Sequence, residues 1–269
     1  MNAVPQQHPD HPENVLAVQN LTLRFGGITA ISDVSFAVAR GHIQAIIGPN
    51  GAGKTSMINC INGFYRPTTG AIHFRGEARP FMRPYRAAAE GIARTFQNIA
   101  LFKGMSTLDN IMTGRTLKMK RGLGWQLLRV GPAIAEEIAH RERVEEIIEF
   151  LEISHLRLHP VGTLSYGLQK RVELGRALAM EPEVLLLDEP MAGMNAGEKL
   201  EMCRFILEVS AHFGTTIVFI EHDLGVVMDL SDRIVVLDHG HKIADGTPAE
   251  VKSDQRVIEA YIGTRHGGH

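Results

Sequence analysis

The sequence predicts an α/β fold: a mostly parallel sheet covered by helices on both faces, with a helical segment inserted into it. Three observations carry this. Short apolar runs of strand length alternate with longer segments of helical character, the order that generates parallel sheets. A glycine-rich loop, Gly48–Gly53, stands between one such run and a helix-forming stretch. The strand-like runs then stop near residue 98 and resume only after Leu164.

Taken in chain order, residues 1–13 are rich in Pro, Gln and His without apolar period, and are expected to form a flexible tail. Val15–Phe25 and Asp33–Val38 read as strands and predict an N-terminal antiparallel β region. His42-Ile43-Gln44-Ala45-Ile46-Ile47 reads as a buried strand, and a helix follows from Lys54 to about Ile61. In the middle, Ile134, Ile138, Val144, Ile147, Ile148 and Leu151 recur mostly at helical spacing with Glu and Arg between them. Beyond Leu164 the reading is a helix to about Met180, a strand Val184–Leu187, a helix around Gly197–Phe213 and a strand Thr216–Ile220. Ile234–Leu237, a turn at Asp238-His239-Gly240 and a short strand near Lys242–Ala244 close the pattern. The expected organisation is an α/β core of residues 14–97 and 161–269, including a C-terminal extension, with a helical subdomain at 98–160.

Composition removes several classes of protein. The 269 residues carry 28 Lys+Arg against 30 Asp+Glu, a net charge of −2, which argues against bulk nucleic-acid binding. Two cysteines, Cys60 and Cys203, are too few for a disulfide framework and point to a reducing compartment. No stretch approaches the roughly 18–20 apolar residues of a membrane span. The first residues lack the charged start and apolar core of a signal peptide.

The chemistry lies in five places. Gly48-Pro49-Asn50-Gly51-Ala52-Gly53-Lys54-Thr55 fits G-x-x-x-x-G-K-[ST], in which backbone N–H groups cradle phosphates, the lysine reaches the β- and γ-phosphates and the hydroxyl meets Mg²⁺. Ser56 completes this nucleotide-facing set. Val184-Leu185-Leu186-Leu187 delivers Asp188 to the sheet's carboxyl edge, where Mg²⁺ is held, and Glu189 to a place where it can act as general base on water. His222, after the strand Thr216–Ile220, is placed to contact the γ-phosphate, although the chain has 13 histidines and a lone one is more often structural. Gln97 stands where the core gives way to the insert, and its amide can touch water or metal, or sense a partner. Leu164-Ser165-Tyr166-Gly167-Leu168-Gln169 opens a helix with a good N-cap, Ser165, and a glycine that lets backbone approach an anion. It lies too far along the chain to belong to the same loop, which suggests service to a second molecule's nucleotide.

In this order the pieces resemble the ATP-binding subunit of an ABC transporter, over about Leu16 to Val251. The resemblance implies a P-loop NTPase core of ABC-cassette type that hydrolyses ATP with Mg²⁺. It implies that Phe25 stacks on adenine, that Glu189, His222, Lys54 and Gln97 are catalytic, and that Thr55, Gln97 and Asp188 serve the metal. It also implies that the Leu164–Gln169 signature, through Ser165 and Gly167, closes over ATP held by a second cassette, identical or a sister. Tyr166, Met191-Ala192-Gly193-Met194-Asn195 and the insert near Thr113–Ala133 are similar to the first of the two ATPases of branched-chain amino-acid importers, as are Gly246–Val251 and Val257–Gly263. The implied partners are transmembrane permease subunits and a substrate-binding protein, with no nucleic acid. The implied location is the cytoplasmic face of the plasma (inner) membrane. Urea importers and the lipopolysaccharide-export ATPase share much of this pattern, and a soluble ABC-type ATPase or a non-catalytic nucleotide module are the rivals from other classes.

Leu168, Met191 and His42 depart from the residues usual at their positions. Arg115, Lys118, Lys120, Arg121 and Arg129, with Trp125, Leu127 and Leu128 among them, form a basic segment expected either to rest near anionic headgroups or to be a solvated helical hairpin.

Overall fold

A computed structural model of the chain describes residues 13–79, 81, 83–97, 99–119 and 131–263. Its centre is a six-stranded sheet: β3 (Ile43–Ile47), β6 (Ile92–Arg94), β7 (Val184–Asp188), β8 (Thr216–Ile220), β9 (Arg233–Asp238) and β10 (His241–Gly246). The spatial order is β10-β9-β3-β8-β7-β6, and every pairing is parallel except that of β9 with β10. The strands β3, β7 and β8 are buried at every residue, the consequence of helices on both faces.

Side chains that alternate along one strand divide between two apolar cores. Ala45, Ile47, Leu185, Leu187, Ile217 and Phe219 face the first, which holds the helices Gly131–Phe150, Tyr166–Leu178 and Ala196–Phe213. Ile46, Leu186, Val218 and Ile220 face the second, together with the helix Lys54–Ile61 and an antiparallel sheet. That sheet runs β2-β1-β4-β5, from β1 (Asn14–Phe25), β2 (Ile28–Ala39), β4 (Thr69–Phe74) and β5 (Glu77–Arg79).

Several elements differ from those the sequence predicts. The second strand starts at Ile28 rather than Asp33, because a register irregularity lies between the pairs Leu21↔Val34 and Leu23↔Ile31, and Asp33 takes a left-handed φ of 52° there. Three strands, β4, β5 and β6, were not anticipated. Thr69–Phe74 buries only Phe74 completely and shows no clear apolar alternation, Glu77–Arg79 is mostly exposed, and Ile92–Arg94 is too short for a period. Ile138, counted on the apolar face of the central helix, is 51% exposed, whereas Val144, Ile147, Ile148 and Leu151 are buried. Arg115 is not on an exposed basic face: its guanidinium is buried, donates to the Ala179 carbonyl at 2.8 Å and to His140 Nδ1 at 3.1 Å, and pairs with Glu181. Lys118 lies 4.0 Å from the same Glu181. The flexible tail, apart from Glu13, and the rest of the basic segment, from Lys120 to Arg129, lie outside the described residues. Among those described, no helix is long and apolar enough to cross a membrane.

Candidate functional site

Parallel pairing brings the chemistry to one edge. The register matches Ile46 with Ile220 and Ile220 with Asp188, so β3, β8 and β7 end level. Leu186 is matched with Arg94, which puts the end of β6 beside them. Ligands of open α/β sheets bind at such carboxyl ends.

From β3 the chain turns through Gly48–Gly53 into the helix Lys54–Ile61. Two glycines are required by geometry: a Cβ on Gly48 would overlap the Leu237 carbonyl oxygen, and one on Gly53, at φ 100°, would lie 2.6 Å from the Ala30 carbonyl oxygen. The helix begins with no side-chain cap and no acidic residue in its first turn. Its leading N–H groups therefore lack intrahelical acceptors and present the positive end of the dipole, a receptive place for an anion. Lys54 is buried, and its Nζ donates to the carbonyls of Gly48 at 2.7 Å and Pro49 at 2.9 Å. Burial pushes this ammonium below its usual range, while the Glu189 and Asp188 carboxylates oppose the shift. Thr55 and Asn50 are exposed, and Ser56 and Pro49 half-buried, along the same loop and first turn.

Asp188 is buried at the end of β7, and its Oδ2 accepts from Arg94 at 2.9 Å. Glu189 adopts a left-handed φ of 50°, unusual for a residue with a side chain and typical of functional turns. Its N–H donates to the Ile220 carbonyl at 3.0 Å, which locks the turn to β8. The Glu189 carboxylate is then held from two sides: Oε1 lies 2.7 Å from His222 Nε2, and Oε2 accepts from Gln97 Nε2 at 2.8 Å. Lys54, Asp188, Glu189, Gln97 and His222 thus converge, although His222 contacts Glu189 directly rather than standing alone.

Phe25, at the end of β1, is half-exposed, and Tyr65 meets its ring edge-on at a centroid distance of 5.0 Å. Ser165 and Gly167 sit at the start of the helix Tyr166–Leu178, where Ser165 Oγ accepts from the Leu168 N–H at 3.4 Å. Among the described residues, no hydrogen bond or ion pair joins them to the phosphate loop. Leu168 packs against the first core, which accounts for an apolar residue at its position.

Sequence reasoning missed four side chains at this edge. Arg94 donates to Asn59 Oδ1 at 2.5 Å as well as to Asp188, bridging the phosphate-loop helix and β7. Glu221 is buried, which raises its carboxyl, and accepts from the Met191 and His222 N–H groups. Lys170 and Glu173 form a buried pair in the helix that Ser165 opens. Only the adjacency of Arg94 and Glu221 to residues already singled out could have pointed to them.

Three or more His, Cys, Asp or Glu residues poised to hold a metal are absent among the described residues. Mg²⁺ does not need them: it takes one or two protein oxygens and fills its shell with water and substrate phosphates. The Asp188 carboxylate and Thr55 hydroxyl at the loop's edge are hard oxygen donors that fit this demand.

A family profile described as ABC transporter matches residues 31–192, and one described as branched-chain amino acid ATP-binding cassette transporter matches residues 241–267. The chain is 40% identical over 252 residues to a high-affinity branched-chain amino acid transport ATP-binding protein of Salmonella typhimurium, covering 93% of this chain and 98% of that protein. It is 37% identical over 252 residues to the corresponding protein of Pseudomonas aeruginosa, with the same coverage of each. A crystal structure of the ADP conformation of an ATP-binding cassette of an ABC transporter superposes with a TM-score of 0.81 at 35% identity, covering 93% of this chain and 99% of that one. The chain belongs to the ABC transporter family of ATP-binding cassettes.

Proposed function

We propose that this chain is the ATP-hydrolysing subunit of an importer of branched-chain amino acids, working at the cytoplasmic face of the inner membrane. The observation that carries the catalytic reading is the Glu189 carboxylate, held between His222 and Gln97 at the level of Lys54 and Asp188. The cargo reading rests on the near full-length likeness to proteins of that description and on the profile matched at 241–267.

In this reading the Gly48–Gly53 backbone and the uncapped helix start receive the phosphates of ATP, and Phe25, braced by Tyr65, stacks on the base. The Lys54 ammonium leaves the Gly48 and Pro49 carbonyls for the β- and γ-phosphates. Thr55, Asp188 and Gln97 would hold Mg²⁺, which when bound would supply charge neutralisation for the phosphates. Glu189 accepts a proton from water as the water oxygen bonds to the γ-phosphorus and the bond to the β-phosphate oxygen breaks. His222 holds Glu189 in position and donates to the γ-phosphate as charge shifts. Most of the catalysis is positioning and electrostatics. Ser165 and Gly167 complete the site of a second cassette, identical or a sister, and the helical segment 98–160 with Gln97 faces permease subunits. A substrate-binding protein delivers the amino acid on the other side.

Glu189→Gln should abolish ATP turnover while leaving ATP binding intact, measured by phosphate release and by equilibrium binding. Wild-type turnover in that variant would reject Glu189 as the base. Cargo is tested by co-purifying the membrane partners and measuring leucine uptake with and without the chain; uptake of another solute class in its place would reject the amino-acid assignment.

A further inference from the structure

Immediately after β6 the chain is gripped from the helix Tyr166–Leu178. Lys170 Nζ donates to the carbonyls of Phe96 at 3.1 Å and Gln97 at 3.0 Å. Glu173 Oε1 accepts from the Phe96 N–H at 3.4 Å, and its Oε2 lies 3.4 Å from Lys170 Nζ. The two side chains are only 3% and 1% exposed. One turn on, Arg176 donates to the Ala100 carbonyl. Charges removed this completely from water persist only where partners replace their hydration. Here those partners include the backbone of a loop, which an ordinary buried pair within one helix would not require.

The two ends of this connection serve two different nucleotide sites in the function proposed above. The helix begins at Ser165, and the gripped loop carries the amide that donates to Glu189. We propose that Lys170 and Glu173 are positioning residues that join the signature helix and the Gln97 loop into one rigid unit. A displacement of Ser165 against a second cassette then shifts Gln97 on the Glu189 carboxylate without any contact between Ser165 and Gln97. Hydrogen bonds tolerate only a few tenths of an ångström of stretch. Three of them, spread over two residues, oblige the loop to follow the helix. Arg94 fixes the other side of the segment through Asp188 and Asn59, so the movement is taken up at Phe96 and Gln97.

This inference rests on the reading of Glu189 as the base, and the two fail separately. The double variant Lys170→Met/Glu173→Leu exchanges the pair for apolar groups of similar volume, a replacement compatible with folding, and removes the grip on the loop. The expected result is a melting temperature near wild type, amide exchange at Phe96 about tenfold faster, KM for ATP within about twofold and kcat about tenfold lower. Lys170→Arg, which can still donate to both carbonyls, should return kcat to within about threefold of wild type. A folded double variant with wild-type kcat overturns the proposal. Should that variant not fold, the wild-type chain decides. On addition of Mg²⁺ and AMP-PNP, amides at Phe96–Gln97 and at Ser165–Gln169 must change protection together, and any other pattern overturns it. Retained hydrolysis in Glu189→Gln would instead sink the reading beneath.

Discussion

Two helix starts in this chain are built for anions in different ways. The helix Lys54–Ile61 opens from Gly53 in a left-handed conformation, with no side-chain cap. The helix Tyr166–Leu178 opens from Ser165, whose own hydroxyl accepts the Leu168 N–H. Helices at Ala196 and Pro248 go further: Asn195 with Glu198, and Thr247 with Glu250, form complete capping boxes. The series runs from open, through half-satisfied, to closed. A closed start stabilises its own helix, an open one leaves its N–H groups to a ligand, and the half-satisfied one can exchange a weak internal bond for a phosphate presented from outside.

The open start carries the largest expected effects. Gly48→Ala should cost about 3 kcal/mol through the overlap with the Leu237 carbonyl, and ATP affinity should fall about 100-fold; urea unfolding and nucleotide binding measure the two. Lys54→Met should lower hydrolysis by about 10²–10³ with a melting temperature equal to or above wild type, because the variant removes a buried ammonium whose ionisation burial disfavours. A marked loss of stability there would mean that Lys54 serves chiefly to brace the loop. At the intermediate start, Ser165→Ala should cost about 1 kcal/mol, lower hydrolysis about tenfold and leave ATP binding to a single cassette unchanged. Equal loss of binding and turnover would place Ser165 at its own chain's nucleotide. The smallest effect sharpens the contrast: Thr247→Ala should also cost about 1 kcal/mol but leave turnover at the wild-type value.

What could be read from the sequence follows from the range of the interactions involved. The phosphate loop, its helix and the strands Ile43–Ile47, Val184–Asp188 and Thr216–Ile220 declare themselves within a few residues, since steric and period rules act locally. The strands Thr69–Phe74 and Glu77–Arg79 did not, because pairing of the first with β1 and of the second with the first substitutes for an apolar period. Asp188 and Glu189 were legible as a pair at a strand end. Their contacts were not: Arg94 lies 94 residues from Asp188, and Gln97, though singled out, lies 92 from Glu189.

Which residue types stand at the carboxyl ends of the core strands, and which glycines let the phosphate loop turn, is written along the chain. Those are local requirements of backbone geometry and burial. How the groups are aimed is settled in three dimensions: His222 and Gln97 onto the two oxygens of Glu189, Arg94 onto Asp188, Lys170 and Glu173 onto the loop that carries Gln97. A buried charge or a poised carboxylate is defined by the partner it finds across the sheet. That partner is chosen by strand order and register, which no local stretch of the chain encodes.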